Sequence, residues 1–315
     1  MISIEHISKS YGDHIVLDDL SAMFAGGEIT MLLGPSGCGK STLLKLINRL
    51  IMPDSGRILI DGKDISTFRE EHLRRGIGYA IQGVGLFPHM RVGDNIGVVP
   101  GLLKWPRSRI ENRVDELLEL VGLSSDFKVK YPLQLSGGEA QRVGVARALA
   151  ADPEILLMDE PFGALDPINR QRLQQEFLKI QRQLHKTVVF VTHDVTEALV
   201  MADQLILLKD RKILAHGDPC AIVNKSEAIL KSFTGGSAAL ELLEKYRISD
   251  ISSQLPPVHD RPIASNAAVS ENLSLKEALA LMVVKNEDSL TVETTSGKLR
   301  LDFAALRRVL RGCSS

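Results

Sequence analysis

The octapeptide Gly34-Pro35-Ser36-Gly37-Cys38-Gly39-Lys40-Ser41 constrains this chain more than any other stretch. It fits the pattern GxxxxGK[ST] in full, and Thr42 extends it. The apolar run Ile29-Thr30-Met31-Leu32-Leu33 leads into it, and a helix-like segment, Ser41 to Leu50, leads out. Strand, glycine-rich loop and helix in that order make a phosphate cradle. The glycines let backbone N–H groups turn inward, and the helix start adds a partial positive charge. Lys40 is expected to reach the β- and γ-phosphates of a nucleotide, and Ser41 to hold Mg²⁺. A second phosphate-binding signal, Leu135-Ser136-Gly137-Gly138-Glu139, lies about a hundred residues on. Ser136 can cap a helix there, and the glycines leave N–H groups bare for an anion. Taken alone it reads more simply as an ordinary capped helix start.

The sheet behind the first loop is legible as short, nearly continuous apolar runs. These are Thr30–Leu33, Ile155–Met158, Val188–Val191 and Leu205–Leu208, separated by helical patterns. Such runs belong to a parallel sheet covered on both faces, so the fold class is α/β. Broken alternation over residues 1–30 adds antiparallel edge strands, with a turn at Ser10-Tyr11-Gly12-Asp13. Residues 84–151 differ. Arg107 to Val121 carries Ile110, Val114, Leu117, Leu118 and Val121 on one helical face, and Ser136 to Ala151 reads as another helix that stops at Asp152-Pro153. This predicts a helical insertion in the α/β core.

Acidic and basic residues nearly cancel, at 39 against 38, and no basic tract stands out, so no nucleic-acid footprint is evident. Cys38, Cys220 and Cys313 lack metal-binding spacing and are odd in number, which suits a reducing compartment. Glu5 and His6 interrupt any early apolar run, and no stretch reaches the 18 or so apolar residues of a membrane span. A chain of this kind working at a membrane needs another subunit to supply the span.

The catalytic candidates follow from strand ends. Ile155 to Met158 delivers Asp159 to the C-terminal edge of the sheet, where ligands bind in open α/β folds. Asp159 is expected to orient Mg²⁺, and Glu160 to polarise the attacking water as general base. His193 follows Val188–Thr192 and could donate to a γ-phosphate, although alone it reads more simply as a solvated residue opening a helix. Gln82 closes the strand candidate Ile77–Ile81 and could bind Mg²⁺ or position water; an exposed surface glutamine is the plain alternative. Tyr11 could stack on an adenine ring or simply pack at the turn.

Taken together, in order, these motifs resemble the nucleotide-binding subunit of an ATP-binding-cassette (ABC) transporter over residues 1–235. The resemblance makes Tyr11 the adenine-stacking aromatic and Gly34 to Ser41 the Walker A loop. Gln82 becomes the Q-loop residue, and Leu135 to Glu139 the LSGGQ-type signature with Glu in place of the usual Gln. Asp159 and Glu160 then form the Walker B pair. Ala164-Leu165-Asp166 is similar to the D-loop, and His193 to the switch histidine. It implies ATP and Mg²⁺ as ligands, catalysis by Glu160, His193 and Gln82, and two copies of the chain sandwiching nucleotide. The signature of one copy, through Ser136, Gly137 and Gly138, then faces the Walker A loop of the other, with Asp166 beside it. It also implies integral-membrane permease partners, indirectly an extracytoplasmic substrate-binding protein, no nucleic acid, and a peripheral place on the cytoplasmic face of the inner or plasma membrane.

Narrower stretches resemble importer subunits for osmoprotectants such as glycine betaine, choline and carnitine. These are Leu46-Ile47-Asn48-Arg49-Leu50, Gly78-Tyr79-Ala80-Ile81-Gln82, Gly85-Leu86-Phe87-Pro88-His89 and Asp159 to Pro167. Amino-acid importers share much of them and stay open as an alternative, as do soluble non-transport ABC ATPases. Gly83 to His89 is the surface expected to meet a membrane subunit. Residues 236–268 read as a helix and a linker, because Ser252-Ser253, Pro256-Pro257 and Pro262 break any periodicity. Residues 269–315 read as a small α+β appendix: helix Ser274–Val284, strand Ser289–Thr294, turn Ser296-Gly297, strand Lys298–Leu301 and helix Phe303–Leu310. It resembles one half of a cystathionine-β-synthase-type (CBS) pair. A unit this short buries little surface by itself.

Overall fold

The computed structural model describes residues 1–83, 85–163, 165–219, 221–222, 243, 246–255, 268–285, 289–294, 297–302 and 305–306. The chain opens with β1 (Ile2–Tyr11), β2 (His14–Phe24) and β3 (Ile29–Leu33), followed by α1 (Lys40–Ile47). Next come β4 (Ser55–Ile60), β5 (Lys63–Asp64), α2 (Glu70–Arg75) and β6 (Ile77–Ala80). Three helices follow: α3 (Val92–Leu102), α4 (Arg107–Leu120) and α5 (Gly137–Leu149). The core then resumes with β7 (Ile155–Asp159), α6 (Pro167–Leu184), β8 (Thr187–Thr192), α7 (Val195–Met201), β9 (Gln204–Lys209) and β10 (Lys212–Gly217). Beyond these lie α8 (Ile248–Ile251), β11 (Val269–Ser270), α9 (Leu275–Lys285), β12 (Ser289–Thr294) and β13 (Gly297–Asp302).

The continuous apolar runs fold as expected. β3, β7 and β8 are buried at every residue and sit inside a six-stranded sheet of order β10-β9-β3-β8-β7-β6. Neighbours β3–β8, β8–β7 and β7–β6 run parallel. Covering helices remove both faces from water, so alternation is absent from these strands. Leu43, Leu44, Leu46 and Ile47 of α1 join the same core as Ile2, Leu17, Phe24, Leu157, Val189 and Val191. Each such side chain contributes roughly 1.5–3 kcal/mol of burial.

The edge strands form a second, antiparallel sheet of order β2-β1-β4-β5. Register shifts between Ile4 and Ile7 accompany positive φ at His6 (54°) and at Asp19 (52°) on the facing strand. These bulges twist the ribbon. Strand Ser55–Ile60 and helix Val92–Leu102 are additions to the sequence expectation. The helix carries Gly93, Gly97, Pro100 and Gly101, so its local propensity is poor, and packing on α4 and α5 holds it. The strand predicted as Ile77–Ile81 ends at Ala80, with Ile81 exposed.

By contacts, one compact unit comprises Met1–His193 with Ile206–His216, and a second comprises Asp194–Leu205 with Gly217–Ser315. Within the second, β11 and β12 are parallel, β12 and β13 antiparallel, and α9 connects the first two. Leu275, Ala278, Met282, Leu290, Val292 and Leu301 form its core. Ile248, Ile251 and Leu255 are buried in that same core. The stretch from Ser249, expected as linker, is therefore folded as far as Leu255, because its apolar residues give the appendix the extra surface it needs. The prolines Pro256, Pro257 and Pro262, Cys220, Cys313, and most of the expected helix Phe303–Leu310 lie outside the described residues.

Candidate functional site

Strand register assembles the site. Leu33 pairs with Thr192, and Asp159 with Val191. The residues that follow those ends, Gly34, Glu160 and His193, therefore emerge side by side at the C-terminal edge of the sheet. This is the edge at which such folds bind ligands.

The phosphate loop is shaped by exclusion. A Cβ at Gly34 would lie 2.2 Å from the Leu208 carbonyl oxygen and 2.7 Å from Cys38 Sγ, so only glycine fits. Gly39, the residue before α1, has φ 102° and no room for a side chain beside Leu17. Lys40 is 5% exposed, and its Nζ donates to the Gly34 and Pro35 carbonyls at 2.7 and 2.9 Å. The ammonium thus spans the loop that would wrap a phosphate. Burial pushes the Cys38 thiol up from its ordinary value, so it stays protonated beside Lys40.

Ser41 Oγ donates to Asp159 Oδ1 at 3.0 Å. Burial raises the Asp159 carboxyl above the usual carboxylate range, and the neighbouring Glu160 adds to the shift, while the Ser41 bond opposes it. A buried anion with a hydroxyl at its side is a fitting donor set for a hard divalent cation. Among the described residues no cluster of three or more His, Cys, Asp or Glu forms an all-protein metal cage. Mg²⁺ in such sites keeps substrate and water ligands, so a small donor set such as Ser41 and Asp159 fits it.

Glu160 is held in the left-handed region, with φ 48°. This conformation costs of order 1–3 kcal/mol. Its N–H donates to Val191 O at 3.0 Å, and its carbonyl accepts from Gly163 N at 3.1 Å and Gln141 Nε2 at 3.3 Å. Its Oε1 lies 3.2 Å from His193 Nδ1. Lys40, Ser41, Asp159, Glu160 and His193 thus share one edge. Gln82 lies exposed two residues past β6 and makes no hydrogen bond to a described residue. Tyr11 ends β1 with half its surface exposed, and the Lys9 ammonium sits 5.7 Å from its ring centre.

The signature segment caps α5. The Ser136 N–H donates to Glu139 Oε2 at 2.7 Å, and the Glu139 N–H donates to Ser136 Oγ at 3.3 Å. This reciprocal box fixes the helix start. A Cβ at Gly137 would meet nothing within 4 Å, so the tip is open. Asp166 caps α6, accepting from Asn169 N at 3.1 Å, and both residues line a hollow of about 520 Å³ with Ser136, Gly138 and Glu139. Ala164 lies outside the described residues.

Three positioning residues went unread in the sequence. Gln141 clamps the Glu160 carbonyl. Asn95, fully buried in α3, accepts from Phe87 N at 2.8 Å and donates to the carbonyls of Phe87, Met90 and Arg91. Arg147 donates to Gly85 O at 2.7 Å. A polar residue on an otherwise buried helix face was the available signal for Asn95 and Gln141. Together Asn95 and Arg147 fix the described part of Gly83–His89. That segment leaves Phe87 exposed and borders a hollow of about 330 Å³ lined by Arg74, Arg75 and Tyr79.

Comparison with known proteins places the chain in a family. The family described as ABC transporter matches residues 17–163. The glycine betaine uptake system ATP-binding protein YehX of Escherichia coli (strain K12) is 45% identical over 300 residues, which is 95% of this chain and 96% of that one. The glycine betaine/carnitine/choline transport ATP-binding protein OpuCA of Bacillus subtilis (strain 168) is 45% identical over 93% of this chain and 75% of its own length. Among solved structures, a bacterial ABC transporter cassette in dimeric form superposes with a TM-score of 0.65 at 34% identity, covering 69% of this chain and 98% of that one. A post-hydrolysis cassette dimer bound to ADP and Pi gives 0.64 at 33% identity, with the same coverage.

Proposed function

The chain belongs to the ABC transporter family, and from that premise we propose that it is the ATP-hydrolysing motor subunit of an importer for osmoprotectants of the quaternary-amine class, such as glycine betaine, choline or carnitine. The observation that carries the motor chemistry is the shared sheet edge, with Ser41 at 3.0 Å from Asp159 and His193 at 3.2 Å from Glu160, beside Lys40. The substrate class is supported by the relatives that carry those substrates in their names.

ATP enters with its adenine on Tyr11 and its phosphates in the cradle from Gly34 to Thr42. Lys40 exchanges its bonds to the Gly34 and Pro35 carbonyls for phosphate oxygens. Ser41, Asp159 and Gln82 would hold Mg²⁺, which would neutralise part of the phosphate charge. Glu160 accepts a proton from water as the water attacks the γ-phosphorus, and the bond to the bridging oxygen of ADP breaks. His193 donates through Nδ1 to Glu160 and so orients the carboxylate toward the water. Two copies of the chain close over two nucleotides. Ser136, Gly137 and Gly138 of each copy, with Asp166 nearby, complete the partner's site. The γ-phosphate is the contact that differs between closed and open states.

Among the described residues no helix is long and apolar enough to cross a membrane. The chain works as a peripheral subunit on membrane-spanning permease partners, fed by an extracytoplasmic binding protein. Gly83 to His89, braced by Asn95 and Arg147, receives the permease. The cassette is read as residues 1–235 and the appendix as residues 269–315; the β–α–β–β order described over residues 269–302 supports the likeness to half of a CBS pair. The test is recovery of tagged chain from detergent-solubilised membranes. Polytopic subunits should come with it, and the reconstituted complex should take up glycine betaine, choline or carnitine only with ATP. Recovery of ribosomes or DNA alone overturns the importer reading.

A further inference from the structure

The tip of α5 carries a negative charge where an arriving triphosphate needs a positive one. Glu139 is half-buried, and the Ser136 N–H bonded to it holds its carboxyl below the usual carboxylate range, so it is ionised at neutral pH. Lys130 and Arg142 act on it only at a distance, because no described basic group reaches ion-pair range of this carboxylate. Arg142 instead spends its Nη1 donor on the Val121 and Gly122 carbonyls. The same hollow is lined by Arg142 and by a second carboxylate, that of Asp166, which accepts from Asn169 N and Nδ2. The box also consumes the Ser136 N–H that an incoming anion would otherwise use.

We propose that Glu139 is an electrostatic brake on closure: its carboxylate repels the partner copy's bound nucleotide, so that the chain needs more ATP to close than an uncharged tip would. This rests on the reading that Ser136 faces the partner's phosphate loop. Ordinary phosphate binding weakens as salt rises. The Glu139 contribution has the opposite sign, because screening removes a repulsion. The screening length falls from about 30 Å at 0.01 M salt to about 8 Å at 0.15 M, so a half-buried surface charge responds over that range. An amide at the same position keeps the acceptor for the Ser136 N–H, so E139Q removes charge and leaves the helix cap in place.

The experiment uses full-length chain carrying E160Q, so that bound ATP persists, with and without E139Q. Light scattering gives the concentration of Mg·ATP at half-maximal dimer, at 0.01 M and at 0.5 M NaCl. E139Q should lower that midpoint about fivefold at low salt, the equivalent of about 1 kcal/mol. The advantage should shrink below about twofold at high salt. An unchanged midpoint at low salt, or an advantage that does not shrink with salt, overturns the brake. Adding S136D to the E160Q chain separates the two readings. Aspartate still caps the helix but adds charge at the tip. Dimer formation undisturbed by S136D would overturn the half-site reading itself.

Discussion

The two phosphate-binding regions of the cassette are built on opposite principles. At the sheet edge the chemical groups are already bonded to one another: Lys40 to its own loop, Ser41 to Asp159, Glu160 to His193. At the tip of α5 there is only a capping box, with open space above Gly137. On the proposed reading the first region supplies the proton acceptor (Glu160), the cation (Lys40) and the metal donors (Ser41 and Asp159). The second contains the Ser136 hydroxyl, the glycine N–H groups and the Glu139 carboxylate that the capping box engages. The proposed function accordingly assigns catalysis to the edge and gives the tip a part only once another copy delivers it. Changes to the phosphate loop at the edge should alter nucleotide binding in an isolated chain; changes at the tip should show only in association.

The largest effect expected is that of Glu160→Gln. General-base removal is worth about 10²–10⁴-fold, so turnover should fall by about 10³ while ATP binding persists. Full hydrolysis in that variant would move the base elsewhere. Lys40→Ala comes next. It loses charge-assisted bonds worth about 1.5–3 kcal/mol each, so nucleotide affinity should fall about tenfold or more, and rate with it. Nucleotide titration of the single chain checks this, and normal affinity would break the contrast from the edge side. Ser136→Asp should leave single-chain nucleotide affinity within about twofold, since its cap is kept, and should abolish ATP-dependent pairing. Weakened binding in the monomer would break the contrast from the tip side.

How far this contrast was legible in the sequence depended on locality. The unbroken apolar runs around Leu32, Leu157 and Val189 marked buried parallel strands, and their ends marked Asp159, Glu160 and His193. Helix α3 was hidden because Gly93, Gly97, Pro100 and Gly101 weaken its local preference; tertiary packing supplies what propensity does not. The Glu139–Ser136 box was hidden for another reason. The Glu reads as a departure from the signature, while its structural work is local capping, which Gln would do equally. The folded stretch Ile248–Leu255 was masked by its serines and following prolines, since three buried apolar residues are too few to show a period.

The smallest effect expected concerns Asp159. Its carboxyl is raised in the folded chain, so protonation favours folding: that stabilising contribution is present at low pH and is lost as pH rises through the folded value. At neutral pH the ionised Asp159 therefore costs stability when no cation is bound. Asp159→Asn should raise the nucleotide-free Tm at pH 7.5 by a few degrees, at about 2–4 °C per kcal/mol, and the gain should fade toward pH 4. Added Mg·ATP should stabilise the parent chain more than the variant. A lower Tm for Asp159→Asn at neutral pH would mean that the edge is not strained by its own charge.

The claim beneath all of this is that edge and tip meet between two copies. Light scattering on the full-length Glu160→Gln chain, with and without saturating Mg·ATP, tests it most directly. The account predicts twice the single-chain mass with nucleotide and the single-chain mass without it. A particle that stays at single-chain mass with nucleotide, even beside its membrane subunits, would contradict it.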